Sequence, residues 1–150
     1  IISANTTSLG IVYIANSLGS YWMSVGSKYS AEALYCARNE GKFWDYYKKA
    51  ITTVWNDYFK DAGKNGYAAL GSKEKDFWIG LGTEIGLGEK FVSCVQNDET
   101  LAEANENAAR SVKEANGMPT FKFNRYMAYG FDLSWGWDYV LMYFESGLKS

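Results

Sequence analysis

Cys36 and Cys94 are the only thiols in the chain, and they set the first limit on its chemistry. Two cysteines cannot build a four-thiolate metal site. There is no histidine, so His-based triads, histidine general bases and histidine-ligated zinc are excluded within this sequence. The residues themselves leave three roles open for the pair: a redox couple, a structural disulfide, or two buried thiols. Both cysteines fall on apolar helical faces with no basic cluster nearby to lower a thiol pKa. That weighs against catalysis and toward a staple.

Other residues of chemical interest read as surface or local structure. Asp98, Glu99, Glu103 and Glu106 match no calcium-loop spacing and are better explained as acids favoured near a helix N-terminus. Lys60, Lys64, Lys73, Glu74, Lys75 and Asp76 read as a solvated face. Asn5-Thr6-Thr7 is an N-x-S/T triplet, a glycosylation candidate only if the protein is exported. The 6 tryptophans read as core and loop anchors, with Tyr21-Trp22-Met23 as a loop group that could face a partner. No metal and no cofactor is expected.

The elements that must position these residues follow from composition and periodicity. At 150 residues, 47% hydrophobic and 21% charged, the chain suits one core-forming domain. A net charge of −2 argues against nucleic-acid binding driven by counterion release. The longest apolar stretch, 11–25, is interrupted by Asn16, Ser17, Gly19, Ser20 and Ser24, so no transmembrane segment is expected. The chain does not open like a signal peptide, and Ile1-Ile2-Ser3-Ala4 reads as the start of a trimmed or partial chain.

Ile11-Val12-Tyr13-Ile14 reads as a buried strand and residues 16–30, rich in Ser and Gly, as a loop. Helical spacing begins at Ser30 and breaks at Arg38-Asn39-Glu40-Gly41, predicting two helices. Phe43, Trp44, Tyr47, Ile51, Val54, Trp55 and Phe59 form an apolar stripe on the second. Further helices are expected over 72–81, with Phe77, Trp78 and Leu81 inward, around Phe91, Cys94 and Val95, and from a Thr100-Leu101-Ala102-Glu103 capping box. Thr120–Phe123 and 126–131 read as a hairpin, and Ser134 or Asp132 can cap a last helix with Trp137, Val140, Leu141 and Phe144 inward. Strand, helices, strands, helix is an α/β or α+β order rather than a bundle.

Three stretches resemble the DsbA-like branch of the thioredoxin superfamily, a disulfide oxidoreductase family. They are Ala31-Glu32-Ala33-Leu34-Tyr35-Cys36-Ala37 with Gly41-Lys42-Phe43-Trp44, then Ile85-Gly86-Leu87 with Phe91-Val92-Ser93-Cys94, then Gly117-Met118-Pro119-Thr120-Phe121. The resemblance implies an α/β thioredoxin-like fold in one domain, 1–150. About 10–15 and 118–150 would form the thioredoxin-type part and about 30–115 a helical insertion. It implies that Met118-Pro119-Thr120 is a cis-proline loop that binds an extended peptide substrate by backbone pairing. Because some members staple the insert at matching positions, it also implies a Cys36–Cys94 disulfide, worth roughly 4 kcal/mol in the chain-entropy account, and an extracellular or periplasmic location.

The family's redox centre is a C-x-x-C at a helix N-terminus, and this sequence has none. The expected fold therefore has an incomplete central sheet, to be filled by an upstream fragment or a partner strand. Two functions follow. The first is a thiol-disulfide oxidoreductase whose attacking thiols lie outside this sequence. The second is a redox-inactive exported binding or assembly module that accepts a partner strand at an open sheet edge.

Overall fold

The computed structural model describes residues 24–60, 66–114, 120–123, 126–129 and Met142. The chain divides into two compact units, 1–109 and 110–150. Within the first, helix α1 (Ser24–Asn39) is the hub. Around it pack α2 (Phe43–Val54), which continues as a π-helical turn (Trp55–Phe59), the short α3 (Gly66–Gly71), α4 (Lys75–Glu84) and α5 (Glu89–Gln96). Helix α6 (Leu101–Glu114) follows. In the second unit β1 (Thr120–Phe123) and β2 (Tyr126–Tyr129) form an antiparallel hairpin, with Thr120 opposite Tyr129 and Phe123 opposite Tyr126.

This overturns the α/β thioredoxin-like expectation. The described residues are overwhelmingly helical, and helices stack directly on helices around α1. The strands among them make a two-stranded antiparallel hairpin, with no parallel pair. The reason lies in α1. Ala31, Glu32, Ala33, Leu34, Tyr35, Cys36 and Ala37 are all buried. A helix buried on every side must be enclosed by other elements, and here helices do it. The expected strand at 11–14, the Met118-Pro119 loop and, apart from the helical Met142, the closing helix lie outside the described residues.

Three helices end the same way. After α1, Lys42 N–H reaches Ala37 O (2.9 Å) and Gly41 N–H reaches Arg38 O (2.9 Å), with Gly41 at φ +72°. After α4, Leu87 and Gly86 repeat the pattern onto Gly82 and Thr83, with Gly86 at φ +85°. After α5, Glu99 N–H reaches Cys94 O (3.1 Å) and Asp98 N–H reaches Val95 O (3.4 Å). These are Schellman closures, whose turning residue is usually glycine because the left-handed conformation crowds a Cβ. At the third, Asp98 takes that place at φ +58°.

Several local expectations are revised. Residues 24–30 are helical rather than loop; Lys28, Tyr29 and Ser30 are half-buried, and tertiary packing of this kind overrides weak Ser and Gly propensity. The apolar stripe on α2 is divided: Phe43, Tyr47 and Val54 pack partly buried against the core, whereas Trp44, Ile51 and Trp55 are 45%, 50% and 60% exposed. Tyr46 anchors α2, fully buried against Phe91 and donating its hydroxyl to Trp78 O (3.0 Å). Desolvation raises its pKa. The expected capping box is replaced by tertiary bonds, because α1 offers stronger partners. Thr100 donates to Glu32 O (2.9 Å) and Glu103 pairs with Arg38.

Helix α4 approaches α5 closely at Gly82, where a Cβ would run into the Phe91 ring. Gly82→Ala is therefore expected to destabilise the protein by about 1–3 kcal/mol, measured by urea denaturation. Gly80→Ala, where a Cβ meets open space, should be neutral or mildly stabilising in the same assay.

Candidate functional site

The chemistry-bearing residues of the first unit gather where α1 meets α4 and α5. The structure joins Cys36 of α1 to Cys94 of α5 by a disulfide, with Cα atoms 5.8 Å apart. The cystine is sealed in the core, its residues 1% and 5% exposed. Thr100 Oγ1 lies 3.4 Å from Cys36 Sγ while donating to the carbonyl of Glu32. One hydroxyl thus links the staple, the centre of α1 and the start of α6.

One turn before Cys36 on the same helix, Glu32 is fully buried, and neither carboxylate oxygen has a hydrogen-bond partner. Desolvation pushes its pKa up from 4.5 to about 7. The nearby charge of Lys75 opposes that rise, Asp98 adds to it, and Lys28 opposes it more weakly. Lys75, on the first turn of α4, donates to Asp98 Oδ1 (2.8 Å) and to Gln96 O (3.1 Å). Burial works to lower the Lys75 pKa, but the Asp98 hydrogen bond and the charges of Glu32 and Asp98 outweigh it, so the net shift is upward. Tyr29 completes the group, its ring centroid 5.3 Å from the Lys28 ammonium and 5.4 Å from that of Lys75.

On α1's next turn Arg38 grips Glu103 with two nitrogens, at 2.6 and 2.8 Å. That hydrogen bond raises the Arg38 pKa and lowers the Glu103 pKa. The pair is well exposed, so it fixes the entry of α6 more than it stabilises the fold. A separate groove of about 520 Å³ runs between α2 and α4. Lys49, Asp57, Asp76, Phe77 and Glu84 line it, and Lys49 pairs with Glu84 across it. The π-helical turn supplies Asp57.

Of the residues singled out from sequence, Cys36 and Cys94 are brought together. Asn5, Met118 and Pro119 lie outside the described residues, and Thr120 opens β1. Glu32 and Lys75 were missed. Lys75 reads as surface because its partners come from another helix and a distant turn. The signal for Glu32 was present: it is the one polar residue in the run Ala31–Ala37. Among the described residues no helix is long and apolar enough to cross a membrane.

Two outcomes are expected. Replacing both cysteines by alanine should lower stability by roughly 4 kcal/mol on the chain-entropy account for a separation of 58 residues, read as a drop in the urea midpoint. For Glu32 the sign follows from its raised pKa: the folded state holds a proton that the unfolded state releases. Stability is full below pH 4.5 and falls as pH rises to about 7. Glu32→Gln should abolish this slope and stabilise the protein at about pH 8 by about 1–3 kcal/mol, because a buried amide has no raised pKa to work against.

Compared with protein-family models, with curated proteins and with solved structures, the chain has no significant match in any of the three.

Proposed function

We propose that this chain is a disulfide-stapled helical module of an exported protein, and that it works by binding rather than by redox catalysis. The observation that carries this reading is the position of the cystine. Thiol-disulfide exchange requires in-line access of an attacking thiolate to a sulfur. Cys36 and Cys94 are closed off between α1 and α5 beneath Thr100. A cystine so placed holds two helices together, and a disulfide maintained for structure belongs in an oxidising compartment. Oxidoreductase activity would depend on thiols supplied from outside this sequence.

The partner we propose is a peptide segment. Docking by strand addition to an open central sheet has no counterpart among the described residues of the first unit. The groove between α2 and α4 suits a side chain better. Lys49 is matched by Glu84, which leaves Asp57 and Asp76 to set the charge of the groove, with Phe77 as an apolar wall. This combination favours the aliphatic stem and cationic head of a lysine or arginine. The exposed rings of Trp44 on α2 and Trp55 on the π-helical turn add apolar contact area outside it.

Two measurements test the reading. Under native conditions the cystine should form no mixed disulfide with excess glutathione, as read by intact mass. Rapid exchange without unfolding would refute the redox-inactive role. A fluorescent lysine-rich peptide should bind, a glutamate-rich peptide of equal length should not, and Asp57→Asn with Asp76→Asn should weaken binding about tenfold. Equal affinity for the two peptides would overturn the groove assignment.

A further inference from the structure

We propose that Lys75 is a proton-operated clasp shared by two carboxylates: with Glu32 protonated it holds Asp98 and so closes the turn after α5, and with Glu32 ionised the Glu32 carboxylate takes the ammonium and the turn is released. The proton leaves to solvent, and no other bond is made or broken. This inference is independent of the binding role.

Three observations carry it. Glu32 is fully buried, and both of its oxygens lack a hydrogen-bond partner, so ionisation creates an uncompensated charge that must find a cation. Lys75 is the strongest cationic influence on it, and its ammonium now bridges to Asp98 and to the carbonyl of Gln96. The segment that Lys75 holds is itself strained. Asp98 stands at φ +58°, where the equivalent closures after α1 and α4 use Gly41 and Gly86. An aspartate accepts that conformation more readily than most residues, yet less well than glycine. The carboxylate supplies the Lys75 bond that a glycine would forgo. Loss of that bond leaves a turn with backbone strain and one tether fewer.

The charges acting on Glu32 are few. Lys28 comes from its own helix, Lys75 from α4 and Asp98 from the turn. On α2, Lys42 pairs with Asp45 and Lys49 with Glu84. On α5, Glu89 and Lys90 are exposed, and on α6 Glu103 is held by Arg38. Helix α3 has no charged residue, and residues 1–23 include no Asp, Glu, Lys, Arg or His. Lys28 and Lys75 flank the Tyr29 ring, so Lys28 is the second cation the ionised carboxylate could engage. Its weaker influence makes Lys75 the first.

The test follows Glu32 by carboxyl 13C NMR and the turn by hydrogen exchange of amides 97–101, corrected for intrinsic pH effects. Glu32 should titrate near neutrality. Amide protection in the turn should fall about tenfold between about pH 5.5 and about pH 8.5, the change expected for roughly one pK unit of coupling. Glu32→Gln should keep the turn protected at both pH values. Asp98→Asn should leave it weakly protected at both, because the clasp has lost its acid-side partner. Glu32 titrating in the ordinary carboxylate range, or protection that is independent of pH in the unaltered protein, would overturn the proposal. So would a pH response that survives in Glu32→Gln.

Discussion

Helix α1 is buried on all sides from Ala31 to Ala37, and the rest of the unit is arranged to satisfy that enclosure. Such a helix has no solvent face on which to place a polar group, so its small residues set how closely neighbours approach. Ala33 and Ala37 are completely buried, as are Phe91 and Val95 of α5. The disulfide fixes this contact covalently, and Thr100 fixes the chain beyond it by donating to the α1 carbonyl at Glu32. Helix α2 depends on the same core less directly. It enters through Tyr46, whose ring meets Phe91 and whose hydroxyl bonds the backbone of α4. Most of its remaining apolar surface stays half-buried or exposed.

The same enclosure explains why one carboxyl is so consequential. A glutamate placed in a fully buried helix cannot reach water by changing rotamer as a surface residue would. It must be paired, hydrogen-bonded or protonated. Both oxygens of Glu32 lack hydrogen bonds, which leaves protonation as the inexpensive state. Lys75 lies near enough to influence it electrostatically while bonded elsewhere. Charge is thus unevenly shared among three groups, two acids and one base, and a single proton decides the balance.

Much of this arrangement was legible locally. The break at Arg38–Gly41 announced two helices, and Gly41 with φ +72° shows why it falls there. Phe91, Cys94 and Val95 read as one inward face and are one. The pairing of Thr120–Phe123 with the following strand followed from alternation. What was illegible depended on partners distant in sequence. The stripe from Phe43 to Phe59 has helical spacing, but it is wide, and spacing alone does not tell that Phe43, Tyr47 and Val54 meet the core while Trp44, Ile51 and Trp55 stay exposed. Lys75 sits in a run of alternating charge, and only the return of the chain at Asp98 shows that it is partly buried. The thioredoxin-like expectation failed for a related reason. Short matches around two cysteines and a proline say little about the sheet, whereas the continuous burial of 31–37 requires enclosure by other elements, which among the described residues are helices.

A buried acid beside a disulfide also has an energetic logic. The cystine stabilises the contact between α1 and α5 irrespective of pH, because neither sulfur titrates. Glu32 withdraws stability from the same contact as it ionises. Since the covalent bond keeps the two helices together, the strain of ionisation has to be relieved at the nearest segment that the disulfide does not hold. That segment is the turn beyond Gln96, where Asp98 already adopts a conformation its side chain disfavours. The staple keeps α1 and α5 joined while ionisation lowers the stability of the whole unit, so the structural response is concentrated in a few residues between α5 and α6. A proton can then alter one turn while the core around α1 remains intact.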